Sequence, residues 1–276
     1  MSWREHTVVR DGVRLVCRDR GGEGPALVLL HGLAGQLGEW DAVAERLSPA
    51  FRVVALDQRG HGASERLPED VSRAAYVEDV VAVARALRLD APVLVGQSMG
   101  GNAALLTAAA HPRLVRGVVL VEAGAGGPSP GVPDEIRGWL ASWPVPFPSR
   151  EKAVAFFGSG PVGEGWADGL RERDGGWWPR FEPEVMVRST AEVAERSFLT
   201  DWRRVSCPAL LILAERSFVP PEEFDAMVRA RPSVTSVSLP GTVHDLHLQR
   251  PDRVAELVAQ FVHGLEGAPG RPGDRP

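Results

Sequence analysis

The sequence predicts an α/β fold organised around a parallel sheet, and two observations support this prediction. In the first half of the chain, apolar runs of strand length alternate with segments of helical periodicity, which is the pattern of βαβ units. After Glu122 the alternation stops, and strand-like runs return only from Pro208. We therefore expect one sheet whose chain is interrupted by a long excursion that folds over it.

The elements are assigned in chain order. Residues 7–10 and 13–18 flank Asp11-Gly12, a dipeptide typical of hairpin turns. Ser72 is a favourable N-cap for a helix over residues 72–89, in which apolar residues recur at helical spacing. The remaining runs predict helices over residues 102–110 and 250–265 and strands over residues 26–30, 52–56, 92–96, 117–121, 208–213 and 234–239.

Charge and hydropathy exclude several classes of protein. The 276 residues carry a net charge of −5 with no basic run, so a nucleic-acid partner is not expected. Apolar runs are far shorter than the roughly 20 residues that span a bilayer, and the first residues lack the apolar core of a signal peptide. Cys17 and Cys207 lie far apart at predicted strands. We expect a cytoplasmic protein with two buried, reduced thiols.

Residue types also argue against a cofactor. Lys152 is the sole lysine and has no glycine-rich context, which excludes a phosphate-binding P-loop. The seven histidines form no zinc-binding motif with the cysteines or acidic residues. We therefore predict neither a metal nor an organic cofactor.

The compositional change after Glu122 predicts a two-part organisation. Residues 124–204 are rich in glycine and proline and contain six of the eight tryptophans. We assign this stretch as a cap, residues 1–123 and 205–263 as the core domain, and residues 264–276 as a disordered tail.

The sharpest motif is Gly96-Gln97-Ser98-Met99-Gly100, directly after a predicted strand and before a predicted helix. This is the G-x-S-x-G pattern of a nucleophile elbow, in which a tight turn projects the serine above the carboxyl edge of the sheet. The pattern alone occurs readily by chance. Its position between strand and helix makes Ser98 the predicted nucleophile.

Two further loops supply partners for Ser98. His31-Gly32-Leu33 ends a predicted strand, so the N–H groups of Leu33 and Met99 are candidates for an oxyanion hole. His244 follows the last predicted strand and is the favoured general base, with His247 as the alternative.

With these motifs, the chain resembles the α/β-hydrolase-fold superfamily over nearly its whole length. The matching pieces are His31-Gly32, the D-x-R-G-H-G-x-S stretch at residues 57–64, the elbow at Ser98, residues 208–220 and the loop at His244. The resemblance implies a mostly parallel eight-stranded sheet flanked by helices, with a helical cap inserted after the sixth strand.

The chain departs from the superfamily at the triad acid. Most members carry an aspartate after the seventh strand, where this chain has Ser217, a residue that cannot stabilise an imidazolium by charge. We favour Glu122, at the end of the sixth strand, because some relatives place their acid there. Glu215 or Asp201 from a shifted loop, or an incomplete triad on a repurposed scaffold, are the alternatives.

The aromatic residues suggest a substrate pocket. His31, Trp40, Trp139 and Trp143 are candidate pocket residues, although the cap tryptophans also suit the core of the cap itself. We expect a monomeric or homodimeric serine hydrolase that cleaves a small or medium hydrophobic ester, thioester or lactone through an acyl-enzyme on Ser98. The alternatives are a biosynthetic lyase or cyclase and a non-catalytic ligand-binding protein.

Overall fold

The computed structural model describes residues 2–266. Eight strands form the main sheet: β1 (Arg4–Arg10), β2 (Val13–Asp19), β3 (Ala26–Leu30), β4 (Arg52–Asp57), β5 (Val93–Gln97), β6 (Gly117–Val121), β9 (Ala209–Ala214) and β10 (Thr235–Leu239). Their order in the sheet is β1-β2-β4-β3-β5-β6-β9-β10, and only the β1–β2 and β2–β4 pairs are antiparallel. This confirms the predicted fold class.

Helices cover both faces of the sheet because its central strands are apolar on both faces. Along β3, Leu27 and Leu29 pack on one side and Val28 and Leu30 on the other. The helices outside the long insertion are α1 (Asp41–Leu47), α2 (Arg73–Ala86), α3 (Met99–Ala110), α9 (Pro221–Ala230), α10 (Leu246–Gln249) and α11 (Pro251–Glu266). The Ser72 hydroxyl caps α2 by accepting the Ala75 N–H, as the sequence predicts.

The chain between β6 and β9 contains five helices and a short hairpin. The elements are α4 (Val132–Ala141), α5 (Arg150–Phe156), α6 (Gly160–Asp168), β7 (Arg171–Arg173), β8 (Gly176–Trp178), α7 (Pro183–Glu195) and α8 (Leu199–Arg204). The hairpin is absent from the sequence-based assignment because its strands have three residues each, too few for a visible alternation. The division into core and cap at residues 124 and 204 stays a prediction.

The C-terminal helix extends further than the sequence suggests. Helix α11 runs to Glu266, so residues 264–266 of the predicted disordered tail are helical, and residues 267–276 lie outside the described residues. Within the described part of the chain, no helix combines the length and apolarity needed to cross a membrane.

Candidate active site

Ser98 lies at the turn between β5 and α3. Its backbone has φ 50° and ψ −116°, a strained conformation for a residue with a side chain. A Cβ on Gly96 would lie 2.2 Å from the Gly100 carbonyl oxygen, and one on Gly100 would lie 2.3 Å from that of Leu30. Both flanking residues must therefore be glycine for the turn to form.

Two backbone N–H groups flank the serine. Leu33 and Met99 line the same cavity as Ser98, and among the described residues neither N–H has a hydrogen-bond partner. Met99 is also the first residue of α3, where the helix dipole favours negative charge. Unpaired donors beside a nucleophile are the arrangement of an oxyanion hole.

Glu122 follows β6 directly and is almost fully buried. Its Oε1 accepts hydrogen bonds from the Ala214 N–H and the Ser217 hydroxyl, and its Oε2 accepts one from the Phe218 N–H. Burial opposes ionisation, but these donors together with His244 hold the pKa of Glu122 below its usual value. The carboxylate is therefore charged at neutral pH.

His244 faces that carboxylate. Its Nδ1 lies 3.4 Å from Oε2 of Glu122, and its ring packs against Phe218 with centroids 5.0 Å apart. A proton on Nδ1 directed at Glu122 leaves Nε2 as an acceptor, which is the tautomer that a general base needs. Glu122 and His244 thus lie together as the sequence predicts, whereas Glu215 and Asp201 bond elsewhere.

Gln97 is a residue of this site that the sequence did not single out. Its side-chain Nε2 lies 3.1 Å from Nε2 of His244 and 3.2 Å from the His244 carbonyl oxygen. Among the described residues, the Ser98 hydroxyl has no hydrogen bond. The amide of Gln97 therefore holds the imidazole nitrogen that the nucleophile would use. Only its position beside Ser98 in the motif hints at this role.

The structure places His31 and Trp40 away from the cavity, contrary to their assignment as pocket residues. The fully buried His31 accepts the Gln58 N–H, and burial lowers the pKa of its imidazole to about 4. Trp40 is fully buried against His247, with ring centroids 4.9 Å apart. His31 instead fixes the loop that carries Leu33, and Trp40 belongs to the core.

Trp139 and Trp143 also lie outside the cavity lining. Their rings meet edge to face with centroids 5.2 Å apart. Trp143 packs similarly against Trp166, Phe157 and Phe181, and these rings form a continuous aromatic cluster. Trp143 and Phe181 are buried and form part of the core of the inserted segment, whereas Trp139 is partly exposed.

The cavity above Ser98 has a volume of about 200 Å³ and lies between the carboxyl ends of β5 and β6 and helices α4 and α7. Much of its wall is apolar, and the apolar residues include Leu33, Met99, Ala123, Ile136, Val193 and Phe218. Among the residues that the structure describes, no three histidine, cysteine or acidic side chains are grouped as metal ligands.

The sheet order, the elbow and the strand-end acid define an α/β-hydrolase. Residues 27–257 match the model of the alpha/beta hydrolase family, and the chain belongs to that family.

Two relatives match this chain over nearly its whole length. One is the 2-(acetamidomethylene)succinate hydrolase of Mesorhizobium japonicum, 27% identical over 91% of this chain and 92% of its own length. The other is the pimeloyl-[acyl-carrier protein] methyl ester esterase of Xanthomonas campestris, 31% identical over 88% of this chain and 97% of its own length. Both are hydrolases, which supports a hydrolase function here.

A solved structure shows the same fold. The crystal structure of E-2-(acetamidomethylene)succinate hydrolase superimposes with a TM-score of 0.85 at 23% identity, over 95% of this chain and 100% of that one.

Proposed function

We propose that the protein is a serine hydrolase that cleaves an ester, thioester or lactone through an acyl-enzyme on Ser98. The observation that carries the proposal is the Glu122–His244 pair, in which a buried carboxylate lies 3.4 Å from Nδ1 of the histidine. The pair stands next to a strained serine turn and two unpaired N–H groups. The apolar wall of the cavity suits an apolar acyl chain, and its small volume favours a short one.

The reaction begins with the exchange of one hydrogen bond. Nε2 of His244 accepts from Gln97 in the structure, so the Ser98 hydroxyl must replace the Gln97 amide as donor before proton transfer. His244 then takes the proton as Ser98 Oγ attacks the carbonyl carbon. The Leu33 and Met99 N–H groups stabilise the oxyanion, and Glu122 stabilises the imidazolium.

Collapse of the tetrahedral intermediate completes acylation. His244 returns its proton to the leaving oxygen or sulfur, and the acyl group stays on Ser98. Water then enters, gives its proton to His244 and attacks the acyl carbon. Breakdown of the second intermediate frees the acid and regenerates the Ser98 hydroxyl.

The relatives agree with hydrolysis but differ in the compound they act on. One is named for 2-(acetamidomethylene)succinate and the other for a methyl ester of pimeloyl-[acyl-carrier protein]. We infer the carboxylic ester class for this chain from the serine, the histidine whose Nε2 accepts a hydrogen bond and the oxyanion donors together.

A fluorophosphonate probe and a panel of p-nitrophenyl esters of graded chain length test the proposal. We expect rapid labelling of the wild type, turnover of short acyl esters and no labelling of Ser98→Ala, whose kcat should fall by about 10⁴ to 10⁶. Labelling that persists in Ser98→Ala would show that Ser98 is not the nucleophile. A folded wild type that neither reacts nor turns over esters would favour the ligand-binding alternative.

A further inference from the structure

Arg73 is a buried arginine on the wall of the cavity that contains Ser98. It is the first residue of α2, is 2% exposed and lines the cavity together with Asn102 and Thr190. The proposed mechanism does not use it. A guanidinium removed from water is costly unless a carboxylate and hydrogen bonds compensate its charge, so its partners decide what it does.

The protein leaves much of this group uncompensated. One terminal nitrogen of Arg73 donates to the Ser189 carbonyl oxygen at 2.6 Å, and its guanidinium carbon lies 4.3 Å from the centre of the Tyr76 ring. Its Nε is buried without a hydrogen-bond partner. Among the described residues, no carboxylate oxygen lies within 4.0 Å of its guanidinium nitrogens.

Arg59, the other fully buried arginine among the described residues, shows what compensation looks like. Its Nε and one terminal nitrogen donate to the two oxygens of Asp79 at 2.6 and 2.7 Å. This is the bidentate geometry in which arginine and carboxylate pair most strongly. Arg73 has the same depth of burial but lacks such a partner.

The nearby carboxylates are already engaged. Glu192 accepts the Arg73 backbone N–H through Oε2 and pairs with Arg196 through Oε1. Glu223, which also lines the cavity, accepts the Gly126 N–H at 2.6 Å. Glu122 is held by the donors described above. The charge of Glu192 favours the charged form of Arg73 from a distance, but none of these acids forms a hydrogen bond with the guanidinium.

We propose that Arg73 binds a carboxylate at the far end of the acyl group, so that the substrate is the monoester, thioester or lactone of an acid that bears a second carboxylate. The inference rests on the proposed function. Asn102 also lines the cavity and adds a polar side chain to this wall, and its buried Oδ1 has no hydrogen-bond partner. The acyl chain would then lie along the apolar wall between Ser98 and Arg73.

Two matched esters test this selectivity. The p-nitrophenyl ester of valerate and the mono-p-nitrophenyl ester of glutarate have the same chain length and differ in one terminal carboxylate. We expect wild-type kcat/KM to favour the glutarate ester. In Arg73→Met the ratio of the two values should fall by about 30- to 100-fold, mainly through KM, with little change for valerate. Arg73→Lys keeps the positive charge but loses the planar guanidinium that can bind a carboxylate through two N–H groups, so it should give an intermediate ratio.

The matched control is Arg188→Met. Arg188 is exposed on α7 and also donates to a backbone carbonyl, that of Glu69, but it does not line the cavity. Its replacement should leave the ratio unchanged. If Arg73→Met lowers kcat/KM equally for both esters, Arg73 serves only to connect α2 to α7 and the inference is wrong.

Direct binding separates this inference from the proposed function. Calorimetry with free glutarate and free valerate does not depend on turnover. We expect wild type to bind glutarate more tightly than valerate and Arg73→Met to lose that difference. Equal affinities in the wild type would overturn the carboxylate site even if esters are hydrolysed. A preference for glutarate that Arg73→Met abolishes would support the site even if no ester is cleaved.

Discussion

The hydroxyl of Ser217 donates a hydrogen bond to Oε1 of Glu122 at 2.8 Å. The resemblance to the family places an acid at the position of Ser217, and this chain instead has a donor that binds the acid at the end of β6. The same hydroxyl accepts the Val219 N–H at 3.0 Å. The loop after β9 thus contacts the site through Ser217 and Phe218, while the negative charge stands on Glu122 at the end of β6.

Replacement of Glu122 by Gln tests which residue is the acid. The amide keeps the shape of the side chain but not its charge, so the imidazolium that forms during proton transfer loses its counterion. We expect kcat to fall by about 10² to 10⁴ with KM little changed. Steady-state kinetics of the preferred ester provide the measurement.

Glu215→Gln and Asp201→Asn are the controls for that experiment, because both acids bond elsewhere in the structure. They should retain near-wild-type kcat. A large loss in either variant together with normal kinetics in Glu122→Gln would move the acid to the loop after β9 or to α8.

Ser217→Ala removes one of the donors that stabilise the Glu122 carboxylate. The Ala214 and Phe218 N–H groups remain, so we expect a moderate loss of about 3- to 10-fold in kcat and of about 1–2 kcal/mol in the free energy of unfolding. The variant has one donor fewer to stabilise the charged carboxylate, so the pKa of Glu122 should rise. The acid limb of the pH–rate profile then moves to higher pH, and a shift to lower pH would contradict this account.

The elbow glycines should tolerate no side chain. In Gly100→Ala the new Cβ would meet backbone oxygens of Leu30 and His31 at 2.3 and 2.5 Å, which cannot move without distorting β3. We expect a loss of at least about 3 kcal/mol in the free energy of unfolding, measured by urea denaturation. A Cβ on Gly138 of α4 would meet no atom within 4 Å, so Gly138→Ala should be neutral or stabilising by about 0.5–1 kcal/mol.

The loss of folding stability at acidic pH should depend on His61. Burial lowers the pKa of His61 from 6.5 to about 3, because the ring is fully enclosed and its Nε2 accepts the Ala34 N–H at 3.1 Å. Above pH 6.5 the group is neutral in both states. Below that pH the unfolded chain binds a proton that the folded chain excludes, so stability falls as pH falls.

His61→Gln should therefore flatten the pH dependence of stability. Between pH 6.5 and about 3, the slope of unfolding free energy against pH should decrease by about 1.4 kcal/mol per pH unit relative to wild type. Urea titrations across the upper half of that window give both slopes. Parallel slopes would show that His61 is protonated in the folded protein.

The sequence predicts most of the backbone and part of the site. Strand-length apolar runs locate the sheet and the glycines locate Ser98, because these features are local, whereas Glu122 is favoured through the resemblance to relatives that place their acid at the same strand end. The roles of Gln97, Trp40 and Arg73 depend on where side chains point after packing. Trp40 follows the oxyanion loop closely yet turns into the core against His247, a choice that periodicity does not encode.

Glu122 is also the last residue before Ala123, where the chain leaves the sheet for the inserted helices, and its N–H is fixed to the Ile212 carbonyl oxygen at 2.9 Å. The charge that would drive proton transfer therefore stands on the sheet side of this junction. Chimeras that exchange the inserted helices with those of another member should keep their chemistry if the splice falls after Ala123. The part of substrate preference that α4 and α7 supply would then move with the insertion, whereas the part that Arg73 supplies would stay with α2.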